Sequence, residues 1–279
     1  MRRLALTLLA ATALCAHAGD DFGLWTELSA TKDFKKKFSL DGGFEFRQEN
    51  NLRTPTRWAA SVGGSYKPCS FLKLGAGYNF LYDRSLQEAE VDYKTNSTTG
   101  ESTMNGYNVD HGYWRRKHRL TFDVTGKVSA GRFTFALRER YQYTHSMPAT
   151  TLRTRYRGLL PAEMEEGYTG DKYYYNGSCF TRYEVASKDK RAKDKHYLRS
   201  RLSIEYNIKH CPFTPFVSAE VSNDLGHELT ADKWRYSVGG EWKISKQHRL
   251  EVAYLYEDGT DDDTGGNAHI LTLGYKFKF

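Results

Sequence analysis

Leu271-Thr272-Leu273-Gly274-Tyr275-Lys276-Phe277-Lys278-Phe279 alternates without a break to the end of the sequence. Successive side chains of an extended strand point to opposite sides, so Leu271, Leu273, Tyr275, Phe277 and Phe279 share one apolar face. Thr272, Gly274, Lys276 and Lys278 share a polar one. The same period runs through Leu72–Tyr82, where the even positions are apolar or aromatic. Phe38, Leu40, Phe44 and Phe46 alternate with Ser39, Asp41, Glu45 and Arg47, and Trp58, Ala60, Val62 and Tyr66 with Arg57, Ser61 and Lys67. Segments 118–128, 133–145, 198–208, 213–222, 234–243 and 249–256 repeat it, and 22–32 does so more weakly. These periodic runs predict an all-β chain of eleven strands with almost no helix.

Alternation alone leaves two solvents open for the apolar face: the core of a secreted sandwich, or the acyl chains around a transmembrane antiparallel up-and-down β-barrel. Three features favour the barrel. Many segments reach the roughly 9–11 residues that cross a bilayer. Aromatic residues gather near strand ends, among them Trp58 and Tyr66, Tyr141 and Tyr143, and Tyr254 and Tyr256, as interfacial girdles do. Connections alternate short (near 33–37, 68–70, 129–132, 209–212 and 244–247) with long (48–56, 84–113, 146–195, 223–232 and 257–267), the pattern of periplasmic turns and outside loops. Bacterial single-chain barrels have even strand numbers, so a count of eleven implies ten, with 22–32 outside the wall, or twelve. The expectation is therefore a barrel of about 10–12 strands with both chain ends on one side.

Composition agrees with this. The 279 residues are 39% hydrophobic and 14% aromatic, too apolar for a disordered chain, while a mean hydropathy of −0.70 is too polar for helical spans, and no run of about 18 apolar residues exists. Residues 1–18 read as a signal peptide: Arg2 and Arg3 form its charged start, Leu4–Leu14 its apolar stretch, and Ala16-His17-Ala18 a small-x-small cleavage site. Removing Arg2 and Arg3 leaves 39 basic against 34 acidic residues, a mature charge of +5. Export through that signal implies the bacterial outer membrane. Residues 19–279 are then one barrel with long outside loops at 84–113 and 146–195. Cys69, Cys179 and Cys211 are an odd, sparse set and define no disulfide framework.

Tyr275-Lys276-Phe277-Lys278-Phe279 resembles the closing-strand signature of outer-membrane barrels, which implies the barrel-assembly machinery as a partner during biogenesis. Asp21-Phe22-Gly23-Leu24-Trp25-Thr26-Glu27, Arg138-Glu139-Arg140-Tyr141 and Leu273-Gly274-Tyr275-Lys276-Phe277 resemble a family of small outer-membrane barrels known only as a domain of unknown function. That resemblance implies place and shape, and no catalytic residues.

The polar faces carry the candidate lumen charges: Asp41, Glu45, Arg47, Arg57, Lys73, Asp123, Arg138, Arg140, Arg199, Arg201, Glu205, Glu220, Arg235, Glu241 and Glu251. In a barrel little wider than the eight-stranded kind these groups meet across the interior, as an ionic filling or as the lining of a narrow passive pore. The 146–195 segment adds Tyr173-Tyr174-Tyr175 and the basic run Lys188–Lys195, which on the outside faces outer-membrane lipids and lipopolysaccharide phosphates at about 1 kcal/mol per cation. A sequence pI near 9.0 also raises nucleic acid, which a surface-displayed segment rarely meets. Glu139 is a misfit, because alternation from Phe133 to Tyr141 puts its carboxylate on the apolar face. With His118, His145 and Ser146 it supplies the parts of an acyl hydrolase or transferase site acting on lipid A, the alternative to a pore or structural role. No phosphate-binding loop and no zinc spacing occurs, and no cofactor is implied. Asp261-Asp262-Asp263 lacks the length of a calcium site.

Overall fold

The computed structural model describes residues 21–34, 37–98, 100–226, 229–259 and 267–279. The signal segment 1–18 and the acidic run 261–263 lie outside the described residues. Sixteen strands follow in order: β1 (Asp21–Phe34), β2 (Phe38–Glu49), β3 (Thr54–Tyr66), β4 (Leu72–Ser85), β5 (Glu88–Thr95), β6 (Ser102–Asp110), β7 (Tyr113–Ala130), β8 (Phe133–Ser146), β9 (Ala149–Leu160), β10 (Tyr173–Tyr175), β11 (Ser178–Lys190), β12 (Lys193–Tyr206), β13 (Phe213–Asp224), β14 (Thr230–Lys243), β15 (His248–Gly259) and β16 (Ala268–Lys278). The single helix among the described residues, α1 (Ala162–Glu165), has four residues.

Eleven strands close into one barrel in the order β1-β16-β15-β14-β13-β12-β8-β7-β4-β3-β2. They are the eleven periodic segments of the sequence. Their number lies within the expected 10–12 but is odd, so it matches neither even alternative. In an antiparallel ring strand direction alternates, so an odd count must set two like-directed strands side by side. Here β1 pairs with β16 in parallel, from Asp21 opposite Ala268 to Thr31 opposite Lys278. The weak segment 22–32 is therefore a full wall strand. Its start sits at the end of the barrel where Asn50 and Asn51 donate their backbone N–H to the Asp21 carboxylate at 3.0 and 2.8 Å. The two ends of the barrel chain thus lie at opposite rims, not at one.

Register fixes the faces. Leu24, Leu28, Phe44, Val62, Phe122, Leu137, Leu202, Val217, Val238, Val252, Leu271 and Leu273 all fall on one side of the ring. Several are left open to solvent: Leu28 is 56% exposed, Val62 58% and Phe122 54%. Tyr275 and Phe277 continue that face, while Phe279 follows the end of β16 and donates its N–H to Thr31 O at 3.0 Å. A continuous outward apolar belt far exceeds the few hundred Å² that a soluble monomer leaves uncovered.

Residues 84–115 and 148–192 form a second compact unit. The segments expected as long loops are instead β-structure, a five-stranded sheet ordered β10-β11-β9-β6-β5. Its strands escaped notice because Arg153-Thr154-Arg155-Tyr156-Arg157 alternates charge with hydroxyl and aromatic groups rather than with aliphatic ones. One face packs Tyr107, Tyr156, Tyr175 and Tyr183 around Phe180, which is fully buried. Gly106 permits the close approach of β6 to β9: a Cβ there would lie 1.8 Å from Tyr156 O, at φ 158°. The other face carries Arg153, Arg155 and Arg157 of β9 beside Asn108 and Asp110 of β6. Asp110 is buried and is held by Arg153, by Lys188 at 2.8 Å and by Lys190 at 2.8 Å. Burial pushes its carboxyl up, but these three cations outweigh that and hold it well below the usual carboxylate range. Two cations of the basic run are therefore engaged within their own sheet. Cys69, Cys179 and Cys211 are free thiols.

Candidate functional site

Closing eleven strands at about 4.8 Å spacing and about 40° tilt sets opposite walls about 22 Å apart between Cα atoms. Long side chains from one wall therefore reach partners several strands away. Glu220 on β13 is the hub. It accepts from Arg138 on β8 at 2.8 Å, from both Nε (3.1 Å) and Nη2 of Arg199 on β12, and lies 3.5 Å from Arg235 on β14. Arg235 donates in turn to Glu257 on β15 at 2.6 Å, which also holds Lys233 at 2.7 Å. The guanidinium of Arg47 on β2 lies 3.6 Å from the Trp25 ring centroid, and that of Arg235 lies 5.5 Å from it. The indole of β1 thus joins the two sides through cation–π contacts. Arg47 donates to Glu45 at 2.7 Å, and Arg57 lies 3.6 Å from Glu45. Arg57 also grips Asp83 through two bonds of 2.7 and 2.8 Å, with Lys117 on β7 at 3.2 Å. Arg140 clasps Asp123 at 2.5 and 3.0 Å. These pairs form a belt of opposite charge around the inside, the arrangement that buried ions require.

The remaining charges read from the alternation share that inward register. Glu241 accepts from Arg249 at 2.8 Å and from Lys276 at 3.3 Å, and Glu251 accepts from Lys276. Glu205 meets Lys127 at 3.4 Å at an exposed position. Asp41 and Lys73 line the lumen cavity. Arg201 faces Glu220 and Arg138 across the register. Sequence reasoning missed Trp25, Asp83, Lys117, Arg119, Lys233 and Glu257. Asp83 and Glu257 lie on the inward parity one step past the segments read as strands, so extending each alternation would have found them. Nothing in the sequence marks Trp25 as inward.

On the outward face a second regularity appears. Tyr78 and His118 meet at 2.7 Å through Oη and Nδ1, Tyr141 and His196 at 2.8 Å, Tyr254 and His269 at 2.5 Å, and Tyr275 and His248 at 2.6 Å. Each pair bridges adjacent strands and satisfies both polar groups on an otherwise apolar surface. His118 and His145 are direct register partners, but His145 Nδ1 turns to Asp194 at 2.7 Å and His118 to Tyr78. Ser146, next in sequence to His145, belongs to the opposite face. Glu139 is six residues and about 20 Å of strand away, where it accepts from Ser200 at 2.6 Å. His118, His145, Ser146 and Glu139 therefore do not converge on one point. Glu139 stands on the outward face, and Ser200 is its one hydrogen-bond partner among the described residues.

With this geometry in hand, comparison with known proteins adds the lineage. The model of a family described as "Protein of unknown function (DUF2490)" matches residues 22–267. The chain belongs to that family. The DUF2490 match starts one residue inside β1 and ends one residue before β16, so it takes in the Trp25 strand and both runs of the five-stranded sheet. No curated protein matches the DUF2490 chain.

Proposed function

We propose that this DUF2490 protein is an outer-membrane β-barrel with a structural role, its lumen filled by paired ions rather than open as a passive pore. The signal peptide expected at 1–18 gives the export route, and short periplasmic turns with the longer connections outside set its orientation. Outer-membrane lipids and lipopolysaccharide are its surroundings, and the barrel-assembly machinery its partner while the closing strand inserts.

One observation carries the reading: a closed ring whose outer face is apolar all round while its inner face holds the belt centred on Glu220. Only a barrel in lipid puts the larger apolar surface outside and pairs charges within. The belt favours filling over conduction, because Arg235 of β14 reaches the Trp25 ring of β1 three strands away, on which Arg47 of the neighbouring β2 also stacks. The test is planar-bilayer recording of the refolded full chain. Electrical silence is expected. Reproducible unitary steps would assign the narrow pore instead, and failure to insert at all would remove the membrane reading.

A further inference from the structure

The outward belt has one interruption. Among the described outward positions of the wall, Asp, Glu, Lys and Arg otherwise stand near strand ends, as Lys32, Asp194 and Asp258 do. Glu139 lies six residues from Phe133 and seven from Ser146, the two ends of β8. At about 3.3 Å per residue and about 40° of tilt, it stands about 15 Å above the turn between β7 and β8, near the middle of an apolar band about 25 Å tall. Acyl chains offer no hydrogen bond at that depth, and an ionisable group there is costly enough to mark a site. Ser200 donates to Glu139 Oε2 at 2.6 Å, and Oε1 has no hydrogen-bond partner among the described residues. The patch around it is stepped. Val124 of β7 and Ser200 of β12 are its register neighbours. One step toward the turn, Gly126, Leu137, Leu202 and Ala219 follow one another across β7, β8, β12 and β13. Leu137 and Leu202 stand out, 51% and 48% exposed, while a Cβ at Gly126 would meet nothing within 4 Å. Knobs beside notches suit a surface that packs against its own copy.

We propose that the outward face of β7, β8, β12 and β13 is a dimer interface, where a second copy of this chain brings its own Glu139 against the first. Copies inserted by one route share one orientation in the membrane. A two-fold axis along the membrane normal therefore sets every residue opposite its own counterpart at the same depth. A second copy thus supplies, by symmetry, the polar group that lipid lacks at this level. Each Glu139 keeps its Ser200 through Oε2 and turns Oε1 to the axis. Facing each other out of water, the two carboxyls hold one proton between them, and so bind instead of repelling. In vesicles holding one barrel each, the second copy is absent and Glu139 keeps only its Ser200 bond. The inference rests on the membrane reading proposed above and goes beyond it by naming a partner.

The experiment is sedimentation equilibrium of the refolded full chain in density-matched detergent, over a range of protein-to-detergent ratios. A monomer–dimer equilibrium is expected. Glu139→Leu should weaken it about tenfold or more, as loss of a polar contact in an apolar medium does. Glu139→Gln should hold it near the parent value, because an amide both donates and accepts and so pairs with its own copy. Gly126→Leu should block association by filling the notch, and its Cβ points into open space, so folding should survive. Leu273→Ala, outward on β16 across the ring, is the control and should leave association unchanged. Gel mobility before and after heating reports folding of each variant, and should one fail to fold, the other decides. A folded chain that stays monomeric at every ratio overturns the proposal, as does a mass of three or more copies. So does association of Glu139→Leu and Gly126→Leu at the parent's strength. Entry of the same preparation into lipid vesicles separates the two readings: entry without association sinks this inference only, and no entry sinks the membrane reading with it.

Discussion

Glu220→Gln keeps the shape of the hub and removes its charge. Three guanidiniums surround the carboxylate, which is 6% exposed. At an effective dielectric near 20 each pair about 4 Å apart contributes about 4 kcal/mol of gross attraction, so three approach about 12 kcal/mol. Most of that sum is offset by the cost of taking the ions out of water. What the variant exposes is the imbalance left behind. Arg235 keeps Glu257 and Arg199 keeps Gln142 at 3.1 Å, but Arg138 loses the carboxylate it bonds. Breaking a buried pair of this kind costs about 3–5 kcal/mol, and that is the expected loss in unfolding free energy, read by urea titration of the refolded barrel in vesicles. Glu205→Gln is the internal control. The Lys127 and Glu205 side chains are 50% and 43% exposed, so this pair should change stability by less than about 1 kcal/mol. If Glu220→Gln loses no more than Glu205→Gln, the belt does not hold the lumen together and the reasoning fails.

Four further outcomes are expected. Because β1 starts at the rim opposite the C-terminus, an epitope placed after Ala18 should be labelled on intact cells; labelling only after permeabilisation would contradict the parallel β1–β16 closure. Asp110, with its carboxyl held low, stabilises its sheet above the ordinary carboxylate value near ~3.9 and loses that contribution as pH falls through the folded value below it. Protection of β6, β9 and β11 against hydrogen exchange, corrected for the intrinsic pH dependence of amide exchange, should therefore stay high at neutral pH and fall under acid, and in Asp110→Asn it should be low and flat with pH. Gly106→Ala should unfold the same sheet by more than about 1 kcal/mol, seen as lost near-ultraviolet signal from its tyrosine cluster; an unchanged spectrum would contradict the Gly106–Tyr156 approach. Glu139→Leu replaces a carboxylate on the outward face and should leave vesicle stability equal or higher, whereas a loss above about 1 kcal/mol would mean that the Ser200 bond is a net support.

Much of the barrel is readable from period-2 alternation, because its two faces meet opposite environments and each residue's parity then carries information. Leu273 and Lys276 announce their faces without any tertiary context. Pairing is a different matter. Alternation places Arg138 and Glu220 on one face but cannot say that β8 and β13 flank β12, since that depends on the chain leaving the ring between β4 and β7 and between β8 and β12. The odd closure was hidden for a similar reason. Parity of strand number is a global property, and Asp21–Glu27 is locally only a weak strand. The five-stranded sheet was hidden by chemistry, as Arg155 and Thr154 differ too little in hydropathy to mark two faces. Trp25 reads on its own as an interfacial aromatic, and only the ring turns it inward onto Arg47.

The central claim is that the outward stripe meets acyl chains while the inward stripe does not. Single-tryptophan versions of the full chain, refolded into vesicles of brominated lipid, test it directly. Trp242, outward and 52% exposed, should be strongly quenched, and Trp25, stacked on Arg47 inside the ring, should keep its emission. Equal quenching of the two, or none at Trp242, would contradict the account.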